Sequence, residues 1–273
     1  MDAGISREER TKQIEQRTSK IKNKIMVFSG KGGVGKTTVT VNLAAALAEK
    51  GRKVGILDAD IHGPNVPLML GVEGLETESS CKGIHPVEAK IGKHKIKIMS
   101  LSFFIEKDSP VIWRGPMKIG LIQQFLTDVN WGELDYLIID LPPGTGDEAL
   151  TIAQSIPNVT GSIIVTTPQE VSLLDSRKAA AFSKKLNIKI LGIIENMSGF
   201  ICPHCKKEIN LFPSGAAEKA AHDLQINILG KIPTDPSVAQ DSDAGTPFIV
   251  QHPSSEAAKA FKKIVEKIQA KIE

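Results

Sequence analysis

The chain has 273 residues, of which 41% are hydrophobic, and its formal net charge is +3. This length is enough for the core of one large domain, and no stretch approaches the roughly 20 apolar residues that span a bilayer. The first 24 residues hold seven Lys and Arg against four Asp and Glu, so they carry the entire net charge. The neutral remainder gives no indication of a nucleic-acid or membrane partner. The polar start also lacks the apolar core of a signal peptide, which predicts a cytoplasmic protein.

Residues 1–24 are predicted to form a mobile polar arm in front of one domain at residues 25–273. Within the arm a helical pattern is possible, with Ile14 and Ile21 seven residues apart as its apolar positions. So thin an apolar stripe does not hold a helix firmly on a domain, which is why we expect mobility.

Residues 30–37 read GKGGVGKT and fit the phosphate-binding pattern G-x-x-x-x-G-K-[ST]. They lie between a predicted strand at 24–28 and a predicted helix at 38–50, as a P-loop requires. Backbone N–H groups and the helix N-terminus would bind phosphate oxygens, Lys36 would meet the β- and γ-phosphates, and Thr37 would ligate Mg²⁺. The predicted nucleotide-binding residues here are Gly30, Lys31, Gly32, Gly33, Val34, Gly35, Lys36, Thr37 and Thr38.

Carboxylates follow two of the next predicted strands. Asp58 and Asp60 come directly after the strand at 53–57, and Asp140 ends the strand at 135–139. Asp140 begins DLPPG, which is typical of a Walker B and switch segment, so we expect it to hold Mg²⁺ through water and Gly144 to direct its N–H toward a γ-phosphate. Asp58 and Asp60 are placed to face phosphates and metal, although helix capping is an alternative role.

The remaining apolar runs alternate between strands and helices. Residues 71–95 are predicted to be an irregular excursion, and a stripe at 254–273 predicts a C-terminal helix packed on the body. This alternation predicts an α/β fold, a doubly wound, mostly parallel sheet with helices on both faces and ligands at the carboxyl ends of the strands. The other predicted elements are strands at 96–101, 162–166 and 189–194 and helices at 113–125 and 170–186.

Asn196 follows the strand at 189–194, and Pro233 and Asp235 follow a later one. An asparagine amide offers the donor and acceptor pair that an adenine edge accepts, so Asn196 is a candidate for base recognition. A turn residue is the competing interpretation.

Cys202 and Cys205 form a CxxC in a polar loop, and Cys81 is the third cysteine. Spacing of this kind in a cytosolic chain points to metal or redox chemistry, and the charged residues that follow argue against a thiol oxidant. Two thiolates supply half the ligands of a zinc site or a [4Fe–4S] cluster. A second copy of the chain across a two-fold axis would complete the set. Zinc bound by Cys202, Cys205, Cys81 and a histidine is the alternative.

In combination, GKGGVGKTT, LDADIHGPN, WRGPM, DLPPGTGDE, PQEVSLLD, ENMSGFICPHC and IPTDPSV make the chain resemble the Mrp/ApbC family of iron–sulfur cluster carrier ATPases, from about Lys24 to the C-terminus. The resemblance implies that Lys31, the early lysine of a deviant Walker A motif, contacts the partner's nucleotide and that Asp60 orients the attacking water. It also implies that Asp140 supports Mg²⁺. Asn196, Pro233 and Asp235 would line the adenine site.

The implied activity is ATP hydrolysis by a homodimer that holds a [4Fe–4S] cluster between the Cys202 and Cys205 pairs of two subunits. The cluster would pass to acceptor apoproteins, without nucleic acid or membrane as partner. No cysteine precedes Cys81, so the N-terminal cluster of the eukaryotic scaffold relatives is not expected. The rival classes are a MinD- or ParA-like positioning ATPase with structural zinc, and a reductase resembling nitrogenase iron protein.

Overall fold

The computed structural model describes residues 7–60, 63–81, 83–104, 115–202, 205, 207–209 and 215–272. Parts of the motifs quoted above, at 61–62, 113–114 and 203–204, lie outside the described residues. The helices are α1 (Arg7–Thr18), α2 (Lys36–Glu49), α3 (Val66–Met69), α4 (Gly115–Asp128), α5 (Asp147–Ser155), α6 (Val171–Lys185), α7 (Ala216–Leu224), α8 (Ser237–Asp243), α9 (Phe248–Gln251) and α10 (Glu256–Ile272). The strands are β1 (Ile21–Phe28), β2 (Val54–Asp58), β3 (Ser79–Ser80), β4 (Gly83–Ile84), β5 (Val87–Ile91), β6 (His94–Ser100), β7 (Leu134–Asp140), β8 (Gly161–Thr166), β9 (Ile190–Glu195), β10 (Phe200–Ile201), β11 (Glu208–Ile209) and β12 (Ile228–Lys231).

The main sheet has the strand order β12-β9-β8-β1-β7-β2-β6-β5. Every neighbouring pair is parallel except β5 with β6. Strands β2 and β8 are buried along their whole length, as expected of parallel strands covered on both faces. The predicted doubly wound, mostly parallel α/β fold is confirmed.

Successive side chains of β1 enter two different cores, because neighbouring residues of a strand point to opposite faces of the sheet. Val27 packs in the core that contains Leu47 of α2 and Phe261 of α10. Phe28 packs in the other core, with Phe125 of α4 and Phe182 of α6. The predicted C-terminal helix is α10, and its apolar stripe is buried on the body as expected.

The described part of the N-terminal segment does not match the predicted mobile arm at 1–24. Residues 7–18 form α1, and Ile21 already begins β1, which pairs with β7 from Ile21 onward. Ile14 is 2% exposed and lies in the same core as residues of α4. The Thr18 hydroxyl, also buried, accepts a hydrogen bond from Lys24 Nζ at 3.2 Å. The few apolar residues of α1 are enough to pack the helix on the body, because α4 supplies apolar residues around Ile14. In this structure α1 is therefore part of the domain.

The predicted irregular excursion at 71–95 contains the short strands β3 and β4 and the longer strand β5, which the sequence analysis missed. Val87, Ala89 and Ile91 are buried while Glu88 and Lys90 are exposed, an alternation that VEAKI shows in the sequence itself. β5 closes one edge of the sheet through antiparallel pairing with β6. Among the described residues no helix is both long and apolar enough to cross a membrane.

Candidate functional site

The P-loop connects β1 to α2, and two of its glycines are required by local geometry. A Cβ on Gly30 would lie 2.3 Å from the carbonyl oxygen of Asp175, so only glycine permits this approach of the loop to α6. Gly35 has φ +76°, the left-handed region that glycine adopts without strain, and its carbonyl accepts the N–H of Val39 at 2.9 Å. The helix therefore begins at Lys36 with its N-terminus directed into the loop.

The Lys36 side chain is only 6% exposed and lies among carboxylates. Its Nζ is 2.8 Å from Asp140 Oδ1 and 3.8 Å from Asp60 Oδ2. The first contact is an ion pair without the alignment of a hydrogen bond, and the buried Nζ makes no hydrogen bond to any described atom. An ammonium in this condition has donors available for phosphate oxygens, which fits the role predicted for Lys36.

Asp140 is fully buried at the end of β7 and accepts two hydroxyl hydrogen bonds. Thr37 Oγ1 donates to its Oδ2 at 2.7 Å, and Thr40 Oγ1 donates to its Oδ1 at 2.8 Å. Hydroxyl and carboxylate oxygens are ligands that Mg²⁺ prefers, so Thr37 and Asp140 fit the predicted magnesium site.

Asp58 and Asp60 stand two residues apart in different surroundings. Asp58 is fully buried, and burial, together with the charge of Asp140, raises its pKa to about 8 against the opposing effect of Lys36. Its carboxylate accepts hydrogen bonds from the N–H of Asp60 at 3.2 Å and from Ser100 Oγ at 3.0 Å. Asp60 lines the cleft described next, whereas Asp58 shapes the turn that carries Asp60.

An open cleft of about 960 Å³ lies against the P-loop. It brings together the predicted loop residues 31–38 and the three predicted adenine-site residues, Asn196, Pro233 and Asp235. Helices α3, α8 and α10 also contribute apolar lining, and no local sequence signal marked those positions because they are distant in the chain. The lining residues missed by the sequence analysis include Leu68, Met69, Met197, Val238, Ala239 and Phe261.

Three predicted contacts look different in this structure. Asn196 Nδ2 donates to the Val34 carbonyl at 2.9 Å, so the amide holds the P-loop, and base recognition by Asn196 stays a prediction. The Gly144 N–H donates to the Ser29 carbonyl at 2.9 Å, and its approach to a γ-phosphate stays a prediction. Lys31 Nζ is 3.4 Å from Gln169 Oε1 of its own chain, and its contact across a dimer stays a prediction.

The cysteine pair lies at the tip of the two-stranded β10–β11 sheet. The strands pair Phe200 with Ile209, and the Cys202 N–H donates to the Lys207 carbonyl at 3.0 Å. Cys205 is exposed and Cys202 is half-buried. Within the described part of the chain no three His, Cys, Asp or Glu residues form a metal site, so Cys81 does not join the pair. His204, a possible zinc ligand, is outside that part.

Residues 20–269 match the family described as the NUBPL iron-transfer P-loop NTPase, within the ParA group. The chain belongs to this family. The resemblance seen in the sequence motifs is thereby confirmed.

Known proteins agree with this family assignment. An iron–sulfur cluster carrier protein of Methanocaldococcus jannaschii is 55% identical over 262 residues, 96% of this chain and 89% of the relative. A nucleotide-binding protein of Archaeoglobus fulgidus, solved in complex with ADP, has a TM-score of 0.79 and 40% identity, covering 92% of this chain and 96% of that one. The cell division ATPase MinD of Pyrococcus furiosus has a TM-score of 0.66 and 26% identity, covering 92% and 99%. This NUBPL-type chain therefore shares its architecture with MinD and is more similar in sequence to a cluster carrier.

Proposed function

We propose that the protein is an ATPase that carries an iron–sulfur cluster on Cys202 and Cys205 and transfers it to acceptor apoproteins. The observation that carries this proposal is a two-thiol hairpin built onto the wall of the nucleotide cleft. Phe200 of the hairpin pairs with Thr234, which lines the cleft together with the predicted adenine-site residues. The high identity to an iron–sulfur cluster carrier protein supports the same function.

The cluster would be shared by two copies of the chain. One chain offers Cys202 and Cys205, and Cys81 does not reach them in the described part of the structure. A [4Fe–4S] cluster takes four thiolates, so a homodimer with one cluster at its two-fold axis satisfies the ligand count. The exposed position of Cys205 at the hairpin tip is compatible with such an interface.

ATP hydrolysis would use the cluster of charges around Lys36. Lys36 would neutralise the phosphates, Thr37 and Asp140 would hold Mg²⁺, and Asp60, which lines the cleft, would orient water. Bound Mg²⁺ supplies charge stabilisation for phosphoryl transfer.

Replacing Lys36 tests the assignment of the ATPase site. We expect Lys36→Ala to abolish ATP hydrolysis, measured as phosphate release, because it removes the buried positive charge of the loop. Lys53→Ala is the matched control, since Lys53 is an exposed lysine paired with Glu133. Normal turnover in folded Lys36→Ala protein would rule out the P-loop role.

Replacing both cysteines tests the carrier function. Anaerobic reconstitution of wild-type protein should give about four irons per dimer with the absorption and Mössbauer spectra of a [4Fe–4S] cluster. The Cys202→Ala, Cys205→Ala double variant should lose that iron and its transfer to an apo-acceptor while it keeps ATP binding. Cys81→Ala is the control and should keep both. Iron retained by the double variant, or zinc at full occupancy as the sole metal after anaerobic purification, would favour a zinc-containing switch ATPase instead.

A further inference from the structure

Residues 195–199, called here the connecting segment, join the P-loop side of the cleft to the cysteine hairpin that begins with β10. At its start, Asn196 donates from Nδ2 to the Val34 carbonyl in the P-loop. A Cβ on Gly35 would lie 2.2 Å from the same Nδ2, so loop and segment are in direct contact. No free space separates Gly35 from the segment at this contact.

The middle of the connecting segment is bonded to the opposite wall of the cleft. The Ser198 N–H donates to the Ile232 carbonyl at 2.8 Å, and the Gly199 carbonyl accepts the N–H of Thr234 at 2.8 Å. Residues 232–235 are the lining stretch that holds Pro233 and Asp235. Both walls of the nucleotide cleft are thus hydrogen-bonded to one short stretch that continues into β10.

A buried carboxylate holds the bend of this stretch. Glu195 is fully buried, and Ser198 Oγ donates to its Oε1. Its Oε2 makes no hydrogen bond to a described atom, and Lys231 Nζ is 3.6 Å from Oε1. Between the two, Met197 adopts φ +57°, which is strained for a side chain of this size. Strain and an incompletely satisfied buried carboxylate persist where the surroundings impose them, often at switch regions.

We infer that Glu195 and Ser198 are positioning residues that transmit nucleotide occupancy of the cleft to the geometry of Cys202 and Cys205. A nucleotide that shifts the P-loop or residues 232–235 shifts the connecting segment through its hydrogen bonds, and the Ser198–Glu195 bond makes the bend move as one unit. The nucleotide must favour one geometry, since equal affinity for both shifts nothing. The inference rests on the proposed function only for the role of the two thiols.

Thiol reactivity in the metal-free, full-length protein tests this coupling. In a Cys81→Ser background, the rate at which 5,5′-dithiobis(2-nitrobenzoate) modifies Cys202 and Cys205 is measured with and without Mg·ADP or Mg·ATP. We expect nucleotide to change the rate about fivefold, the lower end of usual coupling between sites. Ser198→Ala should reduce that change to less than about twofold while nucleotide affinity stays near the wild-type value.

Matched variants separate positioning from general damage. Ser198→Thr keeps a hydroxyl and should restore the nucleotide effect. Ser155→Ala removes a half-buried hydroxyl that bonds the Thr151 carbonyl on α5, and it should leave the effect intact. If Ser198→Ala does not fold, Glu195→Gln carries the test, because it keeps the side-chain shape and replaces a charge-assisted bond by a weaker neutral one.

The proposal is overturned if nucleotide leaves the rate of thiol modification in the Cys81→Ser protein unchanged. It is also overturned if nucleotide changes that rate in Ser198→Ala, or in Glu195→Gln where that variant replaces it, as much as in the parent protein. Loss of nucleotide affinity in step with the loss of response would show that the hydroxyl is only structural, which also overturns it. Because the assay uses metal-free protein, these results are independent of iron binding. A failed cluster reconstitution would instead contradict the proposed carrier function.

Discussion

Asp58 and Asp60 are the same residue type, but their surroundings give the two carboxyl groups different roles. Asp58 is buried, accepts a hydrogen bond from Ser100 and lies near the charge of Asp140. Asp60 lines the cleft, and its Oδ2 lies 3.8 Å from Lys36 Nζ. One carboxylate therefore shapes the turn and the other is placed to act on a bound nucleotide. Two substitutions to asparagine separate these roles.

Asp60→Asn should lower the rate of ATP hydrolysis by about a hundredfold or more while nucleotide affinity changes little. An amide fills the same space but does not accept a proton or orient water as a carboxylate does. The measurements are single-turnover hydrolysis and equilibrium binding of a fluorescent nucleotide. Equal losses in rate and affinity would show instead that Asp60 is a structural residue.

Asp58→Asn should flatten the pH dependence of stability in the nucleotide-free protein. Burial raises the pKa of Asp58 to about 8, so the folded state keeps a proton that the unfolded state releases near pH 3.8. The contribution of Asp58 to stability is therefore full below the unfolded pKa and is lost as pH rises through about 8. Melting temperatures at about pH 6 and about pH 9 check this, and the variant should lose less stability than wild type over that interval. Parallel profiles for the two proteins would contradict it.

At the level of elements, α1 packs on the body through Ile14, the buried apolar side chain among its described residues. Ile14 is 2% exposed, so Ile14→Ala should lower the free energy of unfolding by about 2 to 4 kcal/mol, measured by urea titration. Lys12→Ala on the exposed face of the same helix is the control and should change it by less than about 0.5 kcal/mol. Similar small effects of both substitutions would mean that α1 does not stay packed in solution.

At the level of the whole molecule, the proposal that Lys31 of one chain completes the nucleotide site of its partner can be tested in mixed dimers. Within the single chain the hydrogen bond from Lys31 Nζ to Gln169 Oε1 is long, at 3.4 Å. A bond of this length is weak, so breaking it costs little free energy. In mixed dimers with Lys31→Ala in one subunit and Lys36→Ala in the other, a lysine acting in trans places both losses in one site. We expect about half of the wild-type ATPase rate, since the second site keeps both lysines. Near-complete loss of the rate would show that Lys31 acts within its own subunit.

The sequence by itself determined the phosphate loop, the aspartates at the strand ends, the thiol pair and the parallel α/β architecture. Each of these depends on a local pattern, since the backbone freedom of Gly35 or the spacing of Cys202 and Cys205 is set by neighbours in the chain. The alternation of apolar and charged residues in β5 is also a local pattern. The strand was not predicted because the stretch around it is rich in charged residues.

Only the tertiary structure decided which of these groups meet and how each is buried. Burial is the largest cause of the raised pKa of Asp58, and Asp140, Lys36 and Ser100 come to it from two other strands and a helix. The packing that holds α1 in place and the Val34 carbonyl that accepts the Asn196 amide are likewise supplied by distant segments. The burial of a side chain, and hence its pKa, depends on residues that are far apart in the chain. A local stretch of sequence therefore does not predict either quantity.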